Sequence, residues 1–217
     1  MNTFKTDING VCLQMTAESG LFSPDHADQG TLAMLSAIEL EQEQKLLDLG
    51  CGYGIVGIYA ANFCQPENVW MLDKNVRAIE MSRINAAANG VETINILQSD
   101  GPEILLETGH QASFDWVLSN PPYHEDFSIA RRFIETSYKL LKTGGKLVLV
   151  VKRLDWYKNK LRSVFGGAKI LSINGYYVLI AEKRTQQREK TEAQIKPKTT
   201  KKHMKKIQKS KKRHRSI

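Results

Sequence analysis

Leu46-Leu47-Asp48-Leu49-Gly50-Cys51-Gly52-Tyr53-Gly54-Ile55-Val56-Gly57 reads as a short apolar strand, a glycine loop and the start of a helix. Glycine suits a backbone that must turn tightly and approach a ligand closely. The helix start beyond it presents free N–H groups and a partial positive charge. The plainer reading is a tight turn with close helix packing. Three alternating glycines behind an acidic strand end favour a binding loop instead.

Outward from this stretch, strand-like and helix-like segments alternate. Lys45 to Leu49 is the first strand and Ile55 to Asn62 a helix. Val69 to Leu72 is a second strand. Asn75 is placed to cap a helix running through Ala88, closed by Asn89-Gly90. Ile94 to Leu97 and Phe114 to Leu118 are further strands, and Ser128 to Leu141 carries a helical apolar stripe. Thr143-Gly144-Gly145 stops that helix, and Lys146 to Val151 is apolar enough for a central strand covered on both faces. Lys169 to Ile173 and Tyr176 to Ala181 flank Asn174-Gly175, a strong hairpin signal. Asp28 to Leu40 reads as an extra upstream helix. The expected fold class is α/β: a Rossmann-like, doubly wound, mostly parallel seven-stranded sheet ending in an antiparallel hairpin.

Gly52-x-Gly54-x-x-Gly57 fits the dinucleotide fingerprint, and Asp73 stands 21 residues after Gly52, near the spacing of a ribose-binding acid. This half alone leaves a nicotinamide cofactor and S-adenosylmethionine both open. Asp48 bears on the choice: a carboxylate there repels a pyrophosphate and suits a ligand with an amino group and a sulfonium cation. The pattern D-L-G-C-G-x-G resembles the first motif of class I methyltransferases.

Ser119-Asn120-Pro121-Pro122-Tyr123-His124 directly follows the fourth strand. In a doubly wound sheet, ligands sit beyond the carboxyl ends of the strands, so this loop and the glycine loop should share one crevice. Two prolines stiffen it. An exocyclic amine on a base is a poor nucleophile, because its lone pair is delocalised into the ring. The Asn120 side-chain oxygen and the Pro121 carbonyl are suited to accept its two N–H groups and favour a pyramidal nitrogen. Tyr123 offers a flat face to a base flipped from its stack. Asn120, Pro121 and Tyr123 are thus the candidate catalytic residues. The plainer reading of N-P-P-Y is a rigid turn.

With these motifs and the upstream Phe22-Ser23-Pro24-Asp25…Asp28-Gln29-Gly30-Thr31…Leu35, the chain resembles the small-domain, RsmC-like ribosomal RNA guanine-N2 methyltransferases from about Gly20 to Lys183. Gly144-Gly145-Lys146-Leu147 and Gly175-Tyr176-Tyr177-Val178 are similar to that family's last strands. The resemblance implies that Gly50, Gly52 and Gly54 contact the methionine part of S-adenosyl-L-methionine, with Asp48 ordering that pocket. It implies Asp73 on the ribose hydroxyls, Asp100 on the adenine amino group, Asn120 between cofactor and substrate, and Phe22 to Gly30 over the active site. A loop-capping acid is the plainer reading of Asp100. Family members with an additional N-terminal domain differ from this chain, where about 44 residues precede the first strand.

The formal net charge is +8, from 31 Lys+Arg and 23 Asp+Glu. Lys183 to Ile217 holds 15 basic and 2 acidic residues, a net of +13, which leaves residues 1–182 at −5. The expected organisation is an N-terminal cap and helix over 1–44, a cofactor-binding core over 45–182 and a basic, disordered tail over 183–217. The tail suits phosphates of RNA without reading sequence, or it only solubilises. No apolar run approaches the ~20 residues that cross a bilayer, and no secretory signal is visible. Cys12, Cys51 and Cys64 form no C-x-x-C pair, and five histidines lack metal-ligand spacing, so no metal, no membrane and a reducing cytoplasm are expected.

The resulting expectation is an S-adenosylmethionine-dependent methyltransferase acting on an exocyclic amine in structured RNA, with guanine N2 of ribosomal RNA first. Adenine N6 of transfer RNA and a glutamine-N5 protein methylase are alternatives. A nicotinamide oxidoreductase leaves N-P-P-Y without a role, and a non-catalytic RNA-binding module leaves Asp48 and Asn120 idle.

Overall fold

Alternation along the strands sorts side chains to two faces. A computed structural model describes residues 1–121 and 127–185. The elements are β1 (Asn2–Ile8), β2 (Val11–Ala17), α1 (Gln29–Leu35), β3 (Leu46–Leu49), α2 (Ile55–Ala60), β4 (Val69–Asp73), α3 (Val76–Ala88), β5 (Asn95–Gln98), α4 (Glu103–Glu107), β6 (Phe114–Ser119), α5 (Phe127–Leu140), β7 (Leu141–Val151), α6 (Asp155–Phe165), β8 (Lys169–Ile173) and β9 (Tyr176–Glu182). Seven strands form one sheet in the order β5-β4-β3-β6-β7-β9-β8. β5 through β7 are parallel, and β9 runs antiparallel to both β7 and β8. This is the Rossmann-like, doubly wound sheet with a closing hairpin.

Leu46, Met71, Leu118 and Val148 face one layer, built from α1, α2, α3 and the β1–β2 hairpin. Leu47, Leu72, Val117 and Leu149 face the other, built from α4, α5 and α6. Leu147 to Val151 are all buried, as a strand covered on both faces requires. Asn75 caps α3 by accepting the Arg77 N–H at 3.0 Å. Gly90 takes the left-handed conformation at the helix end, with φ +70°, while Asn89 stays at −110°.

Three boundaries differ from the sequence expectation by two residues or more. α1 ends at Leu35 instead of Leu40, where the Ser36 hydroxyl donates back to the Ala33 carbonyl at 2.9 Å. α2 stops at Ala60, and the chain leaves through a turn rather than reaching Asn62 as helix. β7 begins at Leu141, directly after α5. Its ladder with β6 breaks after Phe114↔Leu141 and resumes at Trp116↔Lys146. Gly145 sits at that break, where a Cβ would lie 2.9 Å from the Phe114 carbonyl oxygen.

The hairpin β1–β2, α4 and α6 were not foreseen. β1 and β2 turn at Asn9-Gly10, with φ +51° and +85°, the same geometry that Asn174-Gly175 adopts between β8 and β9. α3 holds this hairpin with two asparagines one turn apart. Asn85 accepts the Thr16 N–H at 2.7 Å and donates to its carbonyl at 2.8 Å. Asn89 does the same for Gln14, at 3.0 and 2.8 Å. The two amides replace a neighbouring strand along the edge of β2. No helix among the described residues is long and apolar enough to cross a membrane.

Candidate active site

β3 and β6 are adjacent and parallel, with Asp48 opposite Leu118. The loops after them therefore open on the same end of the sheet, at the point where strand order reverses. There they enclose a cavity of about 370 Å³, lined among others by Asp48, Gly50, Gly52, Asp73, Asp100 and Asn120. Pro121 is buried and also lines it. Gly54 does not line the cavity; it forms the N-cap of α2 directly behind it. Pro122, Tyr123 and His124 lie outside the described residues, as do residues 186–217 of the basic tail.

The glycine loop is shaped by left-handed turns at Gly50, Gly52 and Gly54, with φ of +76°, +56° and +93°. It is latched at several points. Gly50 and Cys51 donate N–H groups to the Leu72 carbonyl, at 2.8 and 2.9 Å, tying the loop to the end of β4. The Ser82 hydroxyl of α3 donates to the Gly52 carbonyl at 2.9 Å, and Asn85 donates to the Tyr53 carbonyl at 2.8 Å. Tyr53 is buried, edge-on to Phe4 of β1, and burial with the nearby Asp28 carboxylate pushes its phenol above the ordinary range.

Asp48 is 2 % exposed. One of its oxygens accepts the Gly57 N–H at 3.0 Å, in the first turn of α2. Burial pushes its pKa up to about 7, opposed by the Gly57 bond and assisted by the Asp73 charge. A carboxylate thus occupies the helix N-terminus that a dinucleotide fold offers to a pyrophosphate. Gly57 makes the approach possible: a Cβ there would overlap the Met71 side chain. The Cys51 thiol is buried and held neutral by burial and the Asp48 charge.

Asp73 ends β4, and both its oxygens accept backbone N–H groups at 2.9 Å, from Gly52 and from Asn75. These bonds fix the plane of its carboxylate at the cavity edge. Asp100 is exposed and pairs with Arg132 of α5 at 3.3 Å. Arg132 also reaches Glu103 at 2.9 Å, so Asp100 belongs to a small ion network at the rim.

Asn120 follows Ser119, whose buried hydroxyl donates to the Leu49 carbonyl at 2.7 Å and so joins the ends of β6 and β3. The Asn120 amide nitrogen donates to Asp28 at 2.9 Å and to the Thr31 hydroxyl at 3.1 Å. Asp28 caps α1 by accepting the Thr31 N–H at 3.0 Å. The upstream element thereby reaches the cavity wall, which Leu21 and Phe22 also line. The roles of Ser82 and Asn85 were not visible in sequence, since small polar residues inside a helix carry no motif; Thr31 and Ser119 stand in the upstream element and the Asn-Pro loop, but their partners were not legible there.

Comparison with known proteins agrees with this geometry. The family model described as methyltransferase small domain matches residues 12–181. The Bacillus subtilis protein YbxB is 31% identical over 173 residues, covering 77% of this chain and 85% of that one. Ribosomal RNA small subunit methyltransferase C of Serratia proteamaculans is 32% identical over 169 residues, covering 76% of this chain and 47% of that one. The Thermus thermophilus 16S rRNA N2 methyltransferase RsmC, solved with AdoMet and guanosine, superimposes with a TM-score of 0.77 at 27% identity. That superposition covers 84% of this chain and 50% of RsmC. The chain spans about half the length of these ribosomal RNA methyltransferases. With a sheet, a glycine loop and an Asn-Pro loop arranged in this way, and a family model matched over most of its length, the chain belongs to the methyltransferase small domain family.

Proposed function

We propose that the chain transfers a methyl group from S-adenosyl-L-methionine to an exocyclic amine of a base in structured RNA, guanine N2 of ribosomal RNA. The observation that carries this reading is the meeting of the glycine loop and Asn120 on one acid-walled cavity. The relatives named as ribosomal RNA methyltransferases, and the one solved with guanosine, support the substrate.

The residues present fit this cofactor. Asp73, and Asp48 in its ionised form, would set negative charge along a wall that disfavours a pyrophosphate and favours an ammonium and a sulfonium. Asp73, oriented by two backbone bonds, would hold ribose hydroxyls, and Asp100 would meet the adenine amino group. When bound, S-adenosyl-L-methionine supplies a methyl group activated by its sulfonium charge. Asn120 and the Pro121 carbonyl would accept the two N–H groups of the base amine and turn its lone pair toward that methyl. Catalysis is then mostly positioning. No general base is required of the chain, because the methylated amine is acidic enough to lose its proton to water. Residues 186–217 would hold RNA by phosphate charge and leave target choice to the folded body.

Calorimetry with S-adenosylhomocysteine and with NAD separates the two cofactor classes, and tight binding of NAD alone defeats the reading. Mass spectrometry of ribosomal and transfer RNA nucleosides from cells lacking the protein then names the base. Loss of N2-methylguanosine from ribosomal RNA is expected; an unchanged ribosomal RNA profile with a lost transfer RNA adenine methylation would move the substrate.

A further inference from the structure

The upstream Asp28-Gln29-Gly30-Thr31 has no role in the chemistry described so far. Its geometry is nonetheless specific. One Asp28 oxygen receives two donors, the Thr31 N–H at 3.0 Å and the Asn120 amide nitrogen at 2.9 Å. The same amide nitrogen donates to the Thr31 hydroxyl at 3.1 Å. A carboxylate has no proton to give, so the group turned toward Asp28 must be the NH2 of Asn120 and not its oxygen. The amide oxygen is then the atom that is not turned toward Asp28.

Gly30 makes this contact possible. A Cβ there would lie 2.9 Å from the Asp28 oxygen and 2.8 Å from the Tyr176 ring of β9. The helix start is therefore pressed between the closing hairpin and the Asn120 loop, and Thr31 is buried. The two orientations of an asparagine amide are nearly isosteric, so its hydrogen-bond partners decide between them. Only one of them presents an acceptor to a base amine; the other presents a donor, which would repel its N–H groups.

We propose that Asp28, with Thr31, is a positioning residue that locks the Asn120 amide in the acceptor orientation. The proposal rests on the reading of Asn120 as the acceptor of the substrate amine. It assigns the Asp-x-Gly-Thr element a part in rate rather than in cofactor binding. Asp28 and Thr31 also line the cavity, and the effect proposed here runs through their bonds to Asn120.

The test uses the full chain with Asp28→Ser and Asp28→Asn, each also combined with Asn120→Ala. Serine keeps a capping oxygen for α1 but is too short to reach Asn120, whereas asparagine keeps both the cap and the acceptor. The side-chain NH2 resonances of Asn120, assigned by their loss in Asn120→Ala, report the latch without any turnover. In Asp28→Ser they are expected to move, and in Asp28→Asn to stay close to the parent position. With unmodified ribosomal RNA, Asp28→Ser should lower kcat roughly tenfold to a hundredfold. The affinity for S-adenosylhomocysteine should hold, Asp28→Asn should restore the rate, and Asp28→Ser should cost nothing further in Asn120→Ala. Unmoved Asn120 resonances in Asp28→Ser overturn the proposal. So does an equal loss of rate with and without Asn120. A parent chain that transfers no methyl to RNA, but whose Asn120 resonances move as expected, defeats the substrate reading and leaves the lock standing.

Discussion

The Asp48 carboxylate accepts the Gly57 N–H at 3.0 Å across nine residues of chain, from the end of β3 into the first turn of α2. One side chain thereby caps a helix whose N-cap residue, Gly54, has no side chain to do so, and also lines the cofactor cavity. Strand, loop and helix are closed into a rigid ring behind the cavity, at the cost of a desolvated carboxylate.

That cost makes ligand binding depend on pH. Burial holds Asp48 at about 7, against an ordinary 3.8. Between about 4 and about 7 the folded chain keeps a proton that the unfolded chain releases, so this group's contribution to stability falls as pH rises across that interval. An ammonium group prefers the ionised form. The affinity for S-adenosylhomocysteine should therefore rise as pH increases through about 7 and level off above it. Calorimetry across that range checks this, and Asp48→Asn should bind more weakly with a flat profile.

Gly57→Ala should destabilise the fold. The new methyl would overlap the Met71 side chain, which is fully buried and cannot swing away into solvent. Overpacking of this kind costs about 1–3 kcal/mol. Urea unfolding measures it, and Met71→Ala in the same chain should recover part of the loss. A Gly57→Ala variant as stable as its parent would show that α2 can slide on β4.

Asn120→Ala should reduce methyl transfer by about 10²–10³-fold, the scale seen when one well-placed polar group is removed from a reacting centre. It leaves the glycine loop and Asp73 in place, so S-adenosylhomocysteine should bind almost as well as before. Single-turnover transfer and calorimetry on the same sample separate the two effects.

Removing residues 186–217 should weaken RNA binding most at low salt and flatten its salt dependence. The cut belongs after Thr185, because Lys183 still pairs with the folded body: its N–H donates to the Gly145 carbonyl at 2.8 Å and its ammonium to the Leu141 carbonyl at 2.7 Å. Filter binding at several salt concentrations measures the slope; an unchanged slope would leave the segment as a solubilising end.

Elements set by near neighbours were legible from the chain alone. The alternating strands, the capping by Asn75, the left-handed glycines of the binding loop and the Asn174-Gly175 hairpin each follow from a few consecutive residues. Asn9-Gly10 carries the same signal, yet its hairpin was not foreseen. Asp48, Asp73 and Asn120 were recognisable because strand ends in a doubly wound sheet must point at the crevice. The state of those residues was not. That Asp48 is desolvated and caps α2, that Asp100 is drawn into a pair with Arg132, and that Asn120 turns its NH2 to Asp28 depend on partners 9, 32 and 92 residues away. Hydrogen bonding has direction and burial has magnitude. Both are fixed only once the sheet order brings distant segments within about 3 Å of one another.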